Sequence, residues 1–347
     1  MSAAQYRWTV CDPVHRILDF GARAPVKGLV KDLVASRSFQ RLRRISQLGL
    51  AAHVFPGATH SRFAHCLGAA HLARVVTLQL SDSEERYKAE VDRYTPLIVA
   101  AALVHDIGHG PFSHAFERAL MAVTGIKVKH EAWTRAIIRG PLRTCILDNG
   151  VDVEQLASIF GSSDKLDPLP LYIKQIVSSQ VDVDRMDYLV RDAHFSGVPL
   201  GNIDLHYLIR SLAIVEHGAG HSTLGVTRKG VRAYEAFALA RHLMNRTVYY
   251  HAKVAVLELL MEECLREIAT GVKAGLDASG IAPSLKAILS ATADSSDDFV
   301  EANVEAYLGL GEDHVWTAIG HVEQSWEGPA KTLATRFGVD PKKWTVF

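Results

Sequence analysis

The sequence predicts a mainly α-helical protein with one small β-hairpin. Apolar residues recur at helical spacing along several long stretches, the longest of which runs from residue 231 to about residue 271. Two short extended segments, residues 214–216 and 224–226, flank the glycine-rich stretch 217–221, which is typical of a hairpin turn. No internal repeat interrupts this pattern. We therefore expect helices packed around a buried core.

The bulk composition favours a globular cytoplasmic protein. The 347 residues carry 38 basic and 38 acidic side chains, so no global field draws the chain to nucleic acid or to a membrane. The 4 cysteines are widely separated and form no CxxC pair, which argues against a disulfide framework and against a cysteine-bound zinc. Residues 1–7 lack a signal pattern, and no apolar run approaches the ~20 residues that cross a bilayer.

Two helical regions are predicted in the N-terminal quarter. Residues 26–46 carry apolar side chains at helical spacing and are predicted to form two helices that separate near Ser36. Residues 12–15 before them are predicted as a turn that leads into a short extended segment. Residues 61–80 form the second region, whose inward stripe is predicted to be Phe63, Leu67, Ala70, Val75 and Leu78.

A further helix is predicted to carry two polar groups into the core. Thr95 is a favourable N-cap, Pro96 suits the first helical position, and residues 97–104 are almost entirely apolar. His105 and Asp106 follow in the last turn, where little water is expected. The helix then ends at residues that disfavour its continuation, namely Gly108, Gly110 and Pro111.

These polar groups predict a metal site. Residues 60–114 hold a dense excess of histidine in a chain with only 17 of them. His65 and Asp184 are the further donors, because each lies where the helical pattern predicts burial. In the segment 181–192, the spacing of Asp184, Tyr188 and Arg191 predicts that they share a helix face. Two histidines and two aspartates fit Mn, Fe, Mg, Ni or Zn with open positions, and imply hydrolysis.

These residues resemble the HD-domain metal phosphohydrolases, whose mark is the pattern H…HD…D. The likeness is greater to the deoxynucleoside triphosphate triphosphohydrolases, a branch that includes the vertebrate enzyme joining a sterile alpha motif to an HD domain. The matching segments occur in the family's order: 39–43, 47–49, 54–58, 62–65, 105–114 and 182–188. The resemblance implies the helical HD-domain fold, one divalent metal ion per site, and hydrolysis of a deoxynucleoside triphosphate to the deoxynucleoside and inorganic triphosphate.

The resemblance also implies a role for each matching site residue. His109 and His130 would lie beside the scissile phosphate as proton donors, with His114 nearby and with Glu117 orienting His130 where the vertebrate branch has Asp. The implied substrate-binding residues are Gln47 and Leu48 at the deoxyribose, Arg62, Arg185 and Arg241 at the phosphates, Tyr188 at the sugar, Asp192 at its 3′-hydroxyl, and Tyr249 near the base. For Arg191 a helix-surface ion pair is the expected role.

The motifs end near residue 275, which suggests two parts. Residues 1–275 are interpreted as the HD phosphohydrolase core, and residues 276–347 as a helical extension that packs on the core or serves oligomer contacts. The resemblance implies a homo-oligomer, a dimer or a tetramer. A nucleotide activator at a separate site and single-stranded nucleic acid are candidate partners. Ala35, however, stands where activatable relatives keep an acidic residue for a guanine nucleotide.

Two alternatives remain open from the sequence. The chain could hydrolyse nucleoside monophosphates, nucleoside diphosphates, cyclic nucleotides or single-stranded nucleic acid through the same metal site. It could instead bind nucleotides without turnover, although such a protein would be expected to lose metal ligands, and all four are present. Base preference and the native metal are not encoded in these patterns.

Overall fold

Helices make up most of the computed structural model, which describes residues 8–21, 25–161, 169–217 and 221–338. The predicted connection at 162–168, the hairpin turn at 218–220 and the segment 1–7 lie outside the described residues. Within them, the predicted mainly α class is confirmed. No helix in the described ranges is both long enough and apolar enough to cross a membrane.

The helices follow one another along most of the chain. Their bounds are α1 Val26–Ala35, α2 Arg37–Gln40, α3 Arg62–Ser83, α4 Lys88–Val104, α5 His114–Thr124, α6 His130–Arg139, α7 Arg143–Asp148, α8 Val153–Ser158, α9 Leu171–Val177, α10 Val183–Ser196, α11 Leu205–Arg210, α12 Val231–Met244, α13 Ala252–Lys273, α14 Pro283–Ser290, α15 Ser296–Leu308, α16 Glu312–Ser325 and α17 Pro329–Gly338. Short 3₁₀ turns occupy Arg41–Arg44, Gly49–His53, Glu85–Tyr87 and Arg228–Gly230, and a π-helical turn occupies Asn245–Tyr249. The predicted break at Ser36 is confirmed, since Ser36 caps α2 through its side chain.

Two antiparallel hairpins accompany the helices. The predicted one pairs β3 (Leu212–His217) with β4 (His221–Val226) in a register that sets Leu212 opposite Val226. The other pairs β1 (Thr9–Asp12) with β2 (Arg16–Asp19), and there the sequence indicated only a turn before an extended segment. Its turn is closed by the Asp12 carboxylate, which accepts from the backbone N–H groups of Val14 and His15 at 2.9 and 2.8 Å.

The start of α4 corrects a sequence expectation. The helix begins at Lys88, so Thr95 is no N-cap and Pro96 lies inside the helix. The proline lacks the N–H that would donate to the Asp92 carbonyl four residues before it, and the helix nevertheless continues through it to Val104. The expected single helix from residue 231 to 271 is likewise wrong, because the π-helical turn separates α12 from α13.

The stripe predicted on α3 is only partly right. Leu78 is 44% exposed, whereas Val76 and Leu80 are buried. The reason lies in the neighbours of α3, which is packed against α4 on one side and α10 on another, so that most of its first five turns are enclosed. Helix packing of this kind overrides a single amphipathic stripe.

Two hydrophobic clusters form the core. The first is centred on α1, α3, α4, α9 and α10, and it contains all eight residues from Leu97 to Val104. The second joins α5 and α13 to the C-terminal helices α14–α17, with Leu50 and Trp133 among its members. Because α5 and α13 belong to the cluster of the C-terminal helices, residues on both sides of position 275 share one apolar core.

Glycine 68 permits the close approach of α3 and α10. A Cβ at this position would overlap the carboxylate of Asp187 and would contact the guanidinium of Arg191. Asp187 contacts His65 on α3. The absence of a side chain at Gly68 therefore allows the acidic residues of α10 to approach α3.

We expect Gly68→Ala to destabilise the protein by about 1–3 kcal/mol, because overpacking forces a shift of the Asp187 carboxylate. Urea unfolding measured by circular dichroism gives the change. Gly320→Ala is the matched control, since a Cβ at this glycine inside α16 meets nothing within 4 Å. This control should stabilise the protein by about 0.5–1 kcal/mol through helix propensity. Equal unfolding free energies for the two variants would contradict the packing argument.

Candidate metal centre

Four side chains from three helical segments converge. His65 comes from α3, His105 and Asp106 follow the end of α4, and Asp184 lies in the first turn of α10. The Nε2 atom of His65 lies 3.0 Å from Asp184 Oδ1 and 3.1 Å from His105 Nε2. His105 Nε2 in turn lies 3.4 Å from Asp184 Oδ1 and 3.4 Å from Asp106 Oδ1. All four residues that the sequence predicted as ligands are therefore brought together.

The outer nitrogens of both imidazoles fix which atoms face inward. Nδ1 of His65 contacts the Asp187 carboxylate at 2.8 Å, and Nδ1 of His105 contacts the Ala102 carbonyl at 2.8 Å. Both partners are acceptors, so each Nδ1 carries a proton and each Nε2 presents a lone pair to the centre. Two lone pairs and two carboxylates that face one another at these distances favour a cation between them, either a proton or a metal ion. The donor set fits a divalent ion.

The pKa values of these groups respond to one another. Burial opposes protonation, yet hydrogen bonds to Asp184 and Asp187 raise the pKa of His65 to about 10. Burial likewise opposes the charged form of Asp184, while hydrogen bonds to His105 and His65 lower its pKa below the usual range. Without a metal ion, this raised pKa favours a proton on Nε2 of His65 in place of the lone pair.

Asp187 and Arg191 are functional neighbours that the sequence reasoning missed. Arg191, expected as a surface ion pair, is 0% exposed, and its guanidinium donates to Asp187 at 2.8 and 2.9 Å and to Asp12 at 2.8 Å. The expectation was wrong because Arg191 lies on the same face of α10 as Asp187, and this face is directed toward α3. His15 also contacts Asp187, at 2.7 Å. The (i, i+4) spacing of Asp187 and Arg191 was the available signal.

Arg62 lies beside the cluster and already has partners. Its guanidinium forms a short ion pair with Asp106, and it donates to Ser113 Oγ at 2.7 and 3.2 Å. The side chain is buried, so its charge acts in a low-dielectric setting. This positive charge holds the pKa of Asp106 well below the usual range, against the opposing effect of burial.

Three further histidines and one glutamate lie next to the four converging residues. Glu117 contacts Nδ1 of His130 and Nδ1 of His114, each at 3.0 Å. His109 stacks on His130 with ring centroids 3.8 Å apart, and its Nε2 contacts Asp106 at 3.2 Å. Burial and the charge of Arg62 lower the pKa of His109 well below its usual value, which favours the neutral ring. Its buried Nδ1 has no hydrogen-bond partner among the described residues.

A second polar cluster lies at the end of α10. Asp192 accepts from Tyr249 at 2.8 Å and contacts His60 Nε2 at 2.8 Å. Tyr188 meets Tyr249 edge to face, with centroids 5.9 Å apart, and also lies near His65. The predicted residues Tyr188, Asp192 and Tyr249 are thus adjacent, and His60 is buried against Asp192.

The remaining predicted residues differ in whether their contacts lead toward the four converging side chains or away from them. The Gln47 carbonyl lies 3.5 Å from Arg62, and the Gln47 side-chain oxygen is buried without a hydrogen-bond partner among the described residues. Leu48 is partly buried and packs on the first core cluster. Arg185 donates to the Ser179 carbonyl at 2.6 Å, and Arg241 donates to Gln180 at 2.9 Å, so their hydrogen bonds lead away from the four converging residues.

The four converging residues lie within a segment that matches a known family. Residues 62–192 match the family model described as HD domain, and residues 203–284 match the model described as HD associated region. The first range begins at Arg62, ends at Asp192 and contains all four converging residues. The chain belongs to the HD-domain phosphohydrolase family.

Individual relatives agree with this assignment. A crystal structure of a phosphohydrolase from Bacteroides thetaiotaomicron superposes on this HD-domain chain with a TM-score of 0.79 and 31% identity, covering 95% of this chain and 76% of that one. An uncharacterized protein of Bacillus subtilis, YwfO, is 34% identical over 257 residues, which are 73% of this chain and 54% of that protein. The chicken deoxynucleoside triphosphate triphosphohydrolase SAMHD1 is 28% identical over 282 residues, 74% of this chain and 44% of that protein. The chain spans about half the length of the curated relatives it matches.

We expect the metal-free HD-domain chain to lose stability as the pH rises from neutral toward 10. The pKa of His65 is about 10 in the folded protein against an ordinary value of 6.5, so its stabilising contribution is complete below pH 6.5 and is lost as the pH passes about 10. Urea titrations in EDTA at several pH values measure this dependence. His65→Gln should flatten it, whereas the exposed control His206→Gln should leave it unchanged. If the unfolding free energy of His65→Gln fell with pH as steeply as that of the wild type, His65 would not be the group responsible.

Proposed function

We propose that this chain hydrolyses deoxynucleoside triphosphates to the deoxynucleoside and inorganic triphosphate, using one divalent metal ion. The observation that carries the proposal is the pair of imidazole lone pairs that face two carboxylates, on His65, His105, Asp106 and Asp184. Its substrate class is suggested by the likeness to SAMHD1 and by the polar groups near Asp192. The relatives of unknown activity neither favour nor oppose this choice.

The four converging residues would hold the metal ion. A divalent ion bound there would supply Lewis acidity toward a phosphate oxygen and toward an attacking water. Nitrogen and oxygen donors without thiolate fit Mn, Fe, Mg, Ni or Zn. Asp187 and the Ala102 carbonyl would keep the two imidazoles in the ligating tautomer, because each accepts the proton of the outer nitrogen.

Arginine side chains would bind the phosphate groups. Arg62 is the nearest, and its pairing with Asp106 directs its charge to the edge of the metal cluster. Arg185 and Arg241 would have to exchange their bonds to Ser179 and Gln180 for phosphate oxygens. Their charges would then offset the charge that spreads over the phosphate oxygens in the transition state.

His130 is our choice of proton donor to the leaving group. Its Nδ1 donates to Glu117, which leaves Nε2 free to exchange a proton, whereas the neutral state of His109 makes that ring a poor acid. In this scheme His109 orients the stacked His130 ring and contacts Asp106. His114, which shares Glu117 and is 61% exposed, would help to fix the carboxylate.

The deoxyribose would lie between α10 and the segment after Ser46. Asp192, held by His60 and Tyr249, would accept a hydrogen bond from the 3′-hydroxyl. The unpaired side-chain oxygen of Gln47 supports a second contact there, since buried polar atoms rarely lack partners. Leu48 would fill the space of a 2′-hydroxyl, and Tyr188 would pack on the sugar, with Tyr249 near the base.

The organisation of the whole protein is also a proposal. We propose a catalytic core at 1–275 with an extension at 276–347, and a homo-oligomeric assembly as the likeness to SAMHD1 suggests. Guanine-nucleotide activation is not part of the proposal, because Ala35 supplies no carboxylate. A cytoplasmic location fits the 4 cysteines, none of which is in a disulfide.

Purified protein incubated with Mn²⁺ and each deoxynucleoside triphosphate should release tripolyphosphate, detected by ion chromatography. His105→Ala and Asp184→Asn should each lower kcat at least about 100-fold, because each removes a proposed metal donor. Even the loss of a residue that only hydrogen-bonds to a metal ligand costs about 10- to 100-fold in metal affinity or activity. The exposed control His206→Gln should keep wild-type activity. Release of pyrophosphate or of phosphate would reject the triphosphohydrolase and indicate another HD phosphohydrolase reaction. If the wild type did not turn over any deoxynucleoside triphosphate, both the triphosphohydrolase and another hydrolysis of these substrates would be rejected.

Glu117→Gln should lower kcat about tenfold or more, as part of the roughly 10²–10⁴-fold that a positioned general acid contributes. The amide cannot stabilise the protonated ring of His130, and it can turn its NH₂ group toward that ring. Steady-state kinetics from pH 6 to 9 measure the loss. Glu258→Gln, which removes a carboxylate that pairs with Arg118, is the control and should remain active. If His109→Ala were far more damaging than His130→Ala, the assignment of the donor would be reversed.

A further inference from the structure

Two consecutive residues close to the four converging side chains have strained backbones. Phe112 and Ser113 have φ values of 55° and 49°, in the left-handed region that a Cβ disfavours. They connect the turn that carries His109 to the start of α5 at His114. Such a conformation persists only where surrounding contacts hold it in place.

Contacts from two directions hold these residues. On the site side, Arg62 donates twice to the Ser113 hydroxyl, at 2.7 and 3.2 Å. On the other side, helix α16 contacts Phe112 twice. The Glu312 carboxylate accepts from the Phe112 N–H at 3.4 Å, and the Trp316 ring meets the Phe112 ring edge to face at 5.3 Å.

Glu312 also holds the segment on the opposite side of Arg62. Its carboxylate accepts from the backbone N–H of Ser46 at 2.9 Å and from the Ser46 hydroxyl at 2.7 Å. The residues on either side of Ser46 contact Arg62, because the Arg62 N–H donates to the Ile45 carbonyl at 2.9 Å and the Arg62 guanidinium lies 3.5 Å from the Gln47 carbonyl. One carboxylate therefore joins the two segments that surround Arg62.

The same part of the chain contacts the preceding turn. The Tyr307 hydroxyl donates to the Gly108 carbonyl at 2.8 Å. The buried Arg41 guanidinium donates to the carbonyls of Ile107, His109 and Leu310, at 3.2, 2.7 and 3.0 Å. Tyr307 and Glu312 thus form hydrogen bonds with the backbone of Gly108 and Phe112, and Arg41 links the carbonyls of Ile107 and His109 to that of Leu310.

We propose that Glu312 is a positioning residue for the metal site, acting through Ser46 and Phe112 on Arg62. Arg62 pairs with Asp106, so the carboxylate on α16 sets the position of both the phosphate-binding charge and a metal donor. The C-terminal extension then completes the active site of its own chain. This inference rests on the proposed function for its kinetic consequence, and on the contacts of Ser46 and Phe112 for its structural one.

The test compares three variants of the full chain. Glu312→Ala removes all three hydrogen bonds. Glu312→Gln keeps an oxygen for the two backbone N–H groups and an NH₂ group that can donate to the Ser46 hydroxyl. Asp313→Ala is the matched control, since this neighbouring carboxylate is exposed and makes only long ion pairs, with Arg44 at 3.5 Å and with His314 at 3.8 Å. We expect kcat with Mn²⁺ and a deoxynucleoside triphosphate to fall about tenfold or more in Glu312→Ala, with a smaller change in KM. Glu312→Gln should recover most of this loss.

Hydrogen exchange measured by mass spectrometry gives a readout that needs neither metal nor turnover. Peptides covering 44–48 and 110–114 should exchange faster in Glu312→Ala than in Asp313→Ala, since the amides of Ser46 and Phe112 lose their acceptor. Unchanged exchange in both peptides would overturn the proposal even if the wild type proved inactive. In an active wild type, equal kcat values for Glu312→Ala and Asp313→Ala would overturn it and leave the proposed function intact. Loss of kcat in Glu312→Gln equal to that in Glu312→Ala would also overturn it.

Discussion

The buried carboxylate of Asp187 is the interaction on which the rest of the site depends. It contacts His65 on α3, His15 in the N-terminal hairpin and Arg191 on its own helix, and Arg191 extends the network to Asp12. A buried charge is tolerated only when it is paired and hydrogen-bonded, and Asp187 satisfies both conditions. Because Nδ1 of His65 is held by Asp187, the Nε2 atom of His65 points toward His105. The orientation of the proposed metal ligand thus follows from packing between α3 and α10.

Asp106 plays the corresponding role on the other side of the cluster. It is paired with Arg62, lies near His105, and contacts His109, so one carboxylate joins the proposed metal donors, the arginine proposed to bind phosphate and the stacked histidines. The positive charge of Arg62 acts on all of these groups at short range in a buried setting. It keeps Asp106 ionised and, together with burial, disfavours a proton on His109. In the metal-free chain, His65 and His109 therefore favour different protonation states, because the pKa of His65 is raised and that of His109 is lowered.

The sequence predicted much of this arrangement, and the omissions have a common cause. Helix periodicity, a glycine-rich turn and the order of the HD motifs indicated the fold class and the four residues that the structure brings together. The reasoning failed for Arg191, Pro96 and Leu78, where local pattern favoured a surface pair, a helix start and a buried stripe. In each case the position of the residue depends on a neighbouring helix or on the preceding helical turns. The spacing of residues along one segment does not reveal such contacts.

By itself, then, the sequence determined which side chains are available for chemistry and which segments form helices, since both are encoded over a few turns of the chain. Only the tertiary structure decided which acceptor fixes each imidazole and which residues surround Arg62. His65 and Asp187 are separated by 122 positions, and Ser46 and Glu312 by 266. Hydrogen bonds over such separations depend on how whole helices pack, and helix packing is set by the complete core and not by any local pattern.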